Sequence, residues 1–175
     1  MLRGMNVSGH NTIRMEHLRA LCAALGFRNV ETYVQSGNIV FRAPSTSPSL
    51  LSKRISEAIL RDVGFSVPVL VKTRREMGIV IKRNPFLKEH GIDRSKLHVT
   101  FLSTVVSKSA LGNLDGLSTT PDRFSLRGRE IYLYCPGGYG KTKLSNAAFE
   151  KALSVSATTR NWNTVTTLFE MASKL

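Results

Sequence analysis

Leu18, Leu21, Cys22 and Leu25 recur three and four residues apart, which predicts an amphipathic helix over residues 13–25 that stops at Gly26. Behind it, residues 30–35 and 38–41 are apolar, β-branched and aromatic. Ser36-Gly37 between them supplies the turn of a tight hairpin. Residues 43–49 are rich in Pro and Ser and read as a loop. Leu51, Ile55, Ala58 and Ile59 mark a second helix over residues 49–62, ended by Gly64. Residues 67–71 form a short strand whose Pro68 places it at a sheet edge or a strand start. A helix is expected over residues 73–83, stopped before Asn84-Pro85.

The second half follows the same plan. Leu97, Val99 and Phe101 alternate along a strand over residues 96–102, and a weak helix covers residues 107–114. Residues 123–126 and 130–134 form a hairpin through Arg127-Gly128. Leu144, Ala147, Ala148 and Ala152 define a helix over residues 142–153. Trp162, Val165, Leu168, Phe169 and Ala172 define a last one over residues 161–173. Helix, strand, glycine turn, strand, helix thus occurs twice, each time behind a candidate strand. That is the order of the split β-α-β, ferredoxin-like unit. Two hairpins require antiparallel pairing, which argues against a doubly wound parallel sheet. The expected class is α+β: two ferredoxin-like subdomains with antiparallel hairpins, plus a C-terminal helix. Residues 1–72 form the first subdomain, 73–95 a basic helical connector and 96–175 the second.

The chain has 175 residues, 42% apolar and 21% charged, a soluble globular composition. No apolar run approaches the ~20 residues of a membrane span, and the first residues lack the apolar core of a signal peptide. The expected location is cytoplasmic, with no membrane partner. Cys22 and Cys135 are too few for a disulfide framework. His10, His17, His90 and His98 are not spaced as metal ligands, so no metal site is expected.

Charge changes the picture. Against 12 acids stand 25 Lys and Arg, a net charge of +13, which attracts polyanions. The densest stretch is residues 72–96, where Lys72, Arg74, Arg75, Lys82, Arg83, Lys88, Arg94 and Lys96 face only Glu76, Glu89 and Asp93. Four polar stretches hold no carboxylate at all: residues 3–14, 32–56, 135–148 and 154–169. They offer cations, amides, hydroxyls and backbone N–H groups with no acid to repel an anion.

Within them, Tyr134-Cys135-Pro136-Gly137-Gly138-Tyr139-Gly140-Lys141-Thr142 runs from a strand through a glycine loop into a helix, the setting of a phosphate-cradling loop. Cys135 stands where that motif wants glycine, and no strand ending in Asp follows to hold magnesium, which argues against a nucleotide triphosphatase. A turn in which Thr142 caps the helix comes first, an anion nest second. Thr159 or Asn161 can cap the last helix, with Arg160 beside its unpaired N–H groups. Trp162 reads as core, with base stacking the functional alternative. Gln35 and Asn38 at the hairpin and Asn6 in the first loop could bond a base or sugar, yet all are ordinary turn residues. Ser36 and Cys135 are candidate nucleophiles and His10 a candidate base, without the G-x-S-x-G elbow.

Five blocks carry a family resemblance: residues 2–11 (LRGMNVSGHN), 33–41 (YVQSGNIVF), 127–133 (RGREIYL), 141–146 (KTKLSN) and 157–165 (ATTRNWNTV). Together they are similar to the signature blocks of the domain-of-unknown-function family 1697, from Leu2 to the last helix. The resemblance implies a bacterial-type protein with two α+β subdomains resembling the ferredoxin-like arrangement. It implies no activity, cofactor or site residue. Family members usually carry several strand-forming residues before the Leu-Arg-Gly block. The first strand here is therefore expected to be short, or the start site misassigned.

The expected function is binding of a phosphorylated small molecule or nucleotide in a basic, acid-free pocket. Its ligand-binding residues would be Arg3, Asn6, Gln35, Asn38, Lys141, Thr142, Arg160 and Asn161. The alternative is a nucleic-acid-binding module contacting phosphates. A third reading is an interaction protein whose polar blocks are only caps and turns. No reaction or cofactor is specified.

Overall fold

The computed structural model of the chain describes residues 1–6, 12–117 and 120–175. Among them are six α-helices and two antiparallel sheets, one of two strands and one of four. The chain divides into two units, Met1–Met77 with Thr167–Leu175, and Gly78–Thr166.

In the first unit, α1 (Met15–Ala24) buries Leu18, Leu21 and Cys22, as its spacing predicts. β1 (Arg28–Tyr33) and β2 (Asn38–Arg42) pair antiparallel, with Tyr33 opposite Asn38. The hairpin is not the two-residue turn expected at Ser36-Gly37. The chain leaves β1 one residue after Tyr33, because Val34 takes φ 49°, and Asn38 Nδ2 closes the longer loop by donating to Tyr33 O at 3.1 Å. α2 (Pro48–Val63) starts where the Ser47 hydroxyl accepts from Leu50 N–H, with Pro48 set for the first turn, and ends at Gly64 in the left-handed region. It lays Leu51, Ile55, Ala58 and Ile59 on Leu18, Phe27 and Val67. Each Leu or Ile side chain so taken from water contributes roughly 1.5–3 kcal/mol, Ala58 less.

Residues 67–71, expected as a strand, make a single bridge, Leu2 opposite Val69. Pro68 has no N–H to extend the ladder. The segment still holds the chain start: Met1 N donates to Leu70 O, and Leu2 N–H donates to Gly37 O, each at 2.9 Å.

α3 (Arg74–Arg83) contains the boundary between the units. The second unit holds β3 (Leu97–Leu102), α4 (Lys108–Leu111) with a 3-10 turn behind it, β4 (Arg123–Arg127), β5 (Glu130–Tyr134), α5 (Asn146–Leu153) and β6 (Ala157–Asn161). Its strands lie in the order β4-β5-β3-β6, all antiparallel. Central β3 and β5 are buried nearly throughout, whereas edge strand β4 carries an exposed Arg at each end. Leu102, Ile131 and Leu133 form a core with Phe149 and Leu153 of α5. On another side of β5, the buried Tyr132 hydroxyl donates to Val80 O at 2.9 Å. α6 (Trp162–Lys174) closes the chain.

Two further expectations fail locally. The helix expected from residue 142 begins at Asn146, since the true N-cap is Ser145, whose hydroxyl accepts from Ala148 N–H at 3.2 Å. Residues 157–161, read as the polar approach to a helix, are strand β6. Its pairing with β3 sets Thr159 opposite Thr100 and Arg160 opposite Val99.

Candidate functional site

The eight residues singled out in the sequence divide between the units: Arg3, Asn6, Gln35 and Asn38 in the first, Lys141, Thr142, Arg160 and Asn161 in the second. In the first unit the chain start and the hairpin turn come together. Asn6, at φ 54°, donates through Nδ2 to Gln35 O at 2.7 Å and to Ile13 O at 3.1 Å, and accepts through Oδ1 from Ile13 N–H at 2.9 Å. Its amide is a staple between two loops. Arg3 N–H donates to Pro68 O at 3.0 Å. Asn38 is fully buried, and its Nδ2 also donates to the hydroxyl of Ser36 at 3.0 Å. Gln35 is exposed. The candidate base His10 lies outside the described residues.

In the second unit, Lys141 is exposed at the end of a 3-10 turn, Tyr139–Lys141, and Thr142 Oγ1 accepts from Leu144 N–H at 3.1 Å. Neither stands at the start of α5, so the loop lacks the helix dipole that a phosphate-cradling loop uses. Arg160 stands just before the cap of α6, yet its own guanidinium is engaged. It lies in β6 and donates to Thr158 Oγ1 at 2.9 Å and to Thr159 O at 2.8 Å. Burial pulls its guanidinium down to about 10. Asn161 caps α6, its Oδ1 accepting from Thr164 N–H at 2.8 Å. Trp162 is buried at 5% exposure, in keeping with a core role. Cys135 fails as a nucleophile: it is wholly buried, and burial pushes its thiol up to about 11.

The same unit holds further polar contacts. Thr100 and Thr159 hydroxyls meet at 2.7 Å, and Thr159 donates on to Asn146 Oδ1 at 2.7 Å. The His98 ring stacks on Tyr139 with centroids 4.8 Å apart, and its Nδ1 lies 3.2 Å from Lys96 O. Burial lowers the imidazole pKa, which favours the neutral ring.

A concavity lies elsewhere, wholly within the first unit. It is a cleft of about 400 Å³, the size of a small-molecule site. β2 and the loop behind it form one side, residues 70–74 and Met77 another, and Leu168, Ala172 and Leu175 a third. Ile39, Phe41, Leu51, Leu70 and Met77 make it largely apolar. Phe41 is held by a parallel stack on Phe27, with centroids 4.4 Å apart.

Three cationic side chains line this cleft, Arg42, Lys72 and Arg74, with the hydroxyls of Ser45, Thr46 and Thr73 and no acidic side chain, beside the terminal residues Met1 and Leu175. Glu76, the carboxylate closest in sequence, accepts from Thr73 N–H at 2.7 Å and from Thr73 Oγ1 at 3.0 Å, forming a capping box at the start of α3. None of the eight singled-out residues lines the cleft. Two sequence signals could have found its lining: the acid-free stretch 32–56 contributes β2 and its loop, and the basic stretch 72–96 contributes Lys72 and Arg74.

Among the described residues, no three His, Cys, Asp or Glu side chains gather where a metal ion could be held, and no helix is long and apolar enough to cross a membrane. Residues 1–132 match the sequence pattern described as Protein of unknown function (DUF1697). No curated protein matches the chain. Among solved structures, the chain is similar to the conserved bacterial protein SP0830 from Streptococcus pneumoniae, with a TM-score of 0.72 and 19% identity over 98% of this chain and 96% of that one. At that identity the likeness concerns the fold.

Proposed function

The chain belongs to the DUF1697 family of proteins of unknown function, and from that premise we propose that it binds a phosphorylated small molecule or nucleotide in the cleft of its first unit. One observation carries this reading: three cationic side chains and no acidic one line a largely apolar concavity of about 400 Å³. A dianionic phosphate gains charge-assisted hydrogen bonds from Arg, and the low dielectric of apolar walls strengthens them. Asn6, Asn38 and Asn161 then serve the fold as staple, turn and cap, while Arg42, Lys72 and Arg74 replace them as ligand contacts.

The test is thermal denaturation across a concentration series of inorganic phosphate, glucose 6-phosphate and AMP. Binding to the folded state stabilises it by about 2.7 kcal/mol at a hundred times Kd and so raises Tm progressively with concentration. The Arg42→Ala/Arg74→Ala variant should lose that rise. No shift for any phosphate compound at millimolar concentration would remove the reading.

The net charge of +13 favours a second reading, a nucleic-acid-binding module contacting phosphates. It requires affinity for mixed DNA or RNA that falls with salt, by a slope of about −0.9 for each duplex phosphate neutralised. Binding that ignores salt would remove it.

We also read both units as ferredoxin-like. In support, the order β4-β5-β3-β6, with α4 after β3 and α5 after β5, is the split β-α-β order. In the first unit, Leu2 bridges Val69 on one side and bonds Gly37 O on the other, the same order reduced to its shortest form.

A further inference from the structure

We infer that the cleft of the first unit selects a phosphate monoester with an apolar body, an alkyl or aryl phosphate, over a sugar phosphate or a nucleotide. This rests on the phosphate reading above and narrows it.

The cleft's polar side chains are of two kinds only, cations and hydroxyls: Arg42, Lys72 and Arg74 with Ser45, Thr46 and Thr73. No Asn, Gln, His, Asp or Glu lines it. A ribose or hexose presents several hydroxyl donors, and a base presents amino donors on its edge. Proteins meet these with carboxylate and amide acceptors, as the Asp or Glu on the ribose of dinucleotide sites does. Here no amide or carboxylate side chain is available. Thr73, which could accept, already takes Glu76 N–H at 3.2 Å and donates to Glu76 Oε2 at 3.0 Å. Only the Ser45 and Thr46 hydroxyls are left to accept from a sugar or base, too few for its several donors, so part of its lost water goes unreplaced, at the cost of unsatisfied buried groups.

The remaining lining suits an apolar body. Ile39, Phe41, Leu51, Leu70, Met77 and Leu168 come from β2, α2, α3, α6 and the segment before α3. The cations are placed for the other end. Arg42 closes β2, Lys72 and Arg74 precede and open α3, and Arg42 and Arg74 are both exposed. Neither guanidinium has a hydrogen bond or ion pair among the described residues, so a phosphate would meet two cations with open coordination.

The experiment is a calorimetric titration of the full chain with butyl, hexyl and octyl phosphate, phenyl phosphate, glucose 6-phosphate, AMP and inorganic phosphate. Octyl glucoside serves as a control for detergent-like adsorption. Affinity is expected to rise up to about fourfold per added methylene, the increment of burying one CH₂. Glucose 6-phosphate and AMP should bind no better than inorganic phosphate, and octyl glucoside not at all. Leu168→Asn should flatten the chain-length series and leave inorganic phosphate unchanged. Arg42→Ala/Arg74→Ala alters two exposed side chains and should weaken every phosphate compound about tenfold or more.

A series flat from butyl to octyl, or AMP binding more tightly than octyl phosphate, would overturn the inference and leave the phosphate reading standing. Absence of binding by every phosphate compound would overturn both. Octyl glucoside binding as tightly as octyl phosphate would make the cleft an apolar surface without anion selectivity, again overturning both.

Discussion

At Gly37 the backbone sits at φ 73°, and a Cβ there would lie 2.9 Å from Leu2 Cβ and 3.0 Å from Met5 Cγ. Its left-handed conformation was legible in the sequence, because Ser36-Gly37 between two apolar runs calls for one. The close approach of Leu2 and Met5 was not legible, since it depends on a chain start 35 residues away meeting the hairpin. Gly37→Ala should therefore cost about 2–4 kcal/mol, strain and overpacking together. Gly64→Ala, in open space at φ 79°, should carry the strain alone, about 1 kcal/mol. Urea midpoints of the two variants decide this, and equal losses would refute the packing argument. Asn6 and Asn38 show the converse limit. Both were recognised as polar loop residues, yet a buried amide bonding its own backbone and one facing a ligand have the same one-letter code.

Among the elements, long amphipathic helices were easiest to place, because α1 and α2 bury i, i+3, i+4 positions on a single face. Strand β6 was missed for a physical reason. Its Thr158, Thr159 and Arg160 alternate no apolar residue, and Thr159 satisfies its hydroxyl through Thr100 and Asn146 inside the fold. The start of α5 was misplaced because Thr142 and Ser145 are both competent caps. The chain uses Thr142 for Leu144 N–H and Ser145 for the helix proper. Ser145→Ala should accordingly destabilise the protein by about 1 kcal/mol, with Ser145→Asp restoring most of it. Lack of rescue by Asp in chemical denaturation would indicate a role other than capping. The cleft was half legible: its basic and acid-free segments stood out, but their meeting with Leu168 and Ala172 did not.

At the scale of the whole molecule, each unit buries one thiol. Cys22 and Cys135 are both wholly inaccessible, and burial pushes each from 9.0 up to about 11. Above pH 9 the unfolded chain ionises its thiols and the folded chain does not. Stability is therefore complete below pH 9 and falls as pH rises towards 11, by at most ~1.4 kcal/mol per pH unit for each thiol. The Cys22→Ala/Cys135→Ala variant should show a shallower decline between pH 8 and pH 10.5 in urea unfolding, and identical slopes would refute the assignment. The two units differ in how the chain is apportioned. Gly78–Thr166 is one continuous piece, while the other unit needs Thr167–Leu175 as well as Met1–Met77. On the ribosome, then, Met1–Met77 must wait through the synthesis of the whole second unit: the wall formed by Leu168 and Ala172 cannot close over residues 39–46 before Gly78–Thr166 has been made.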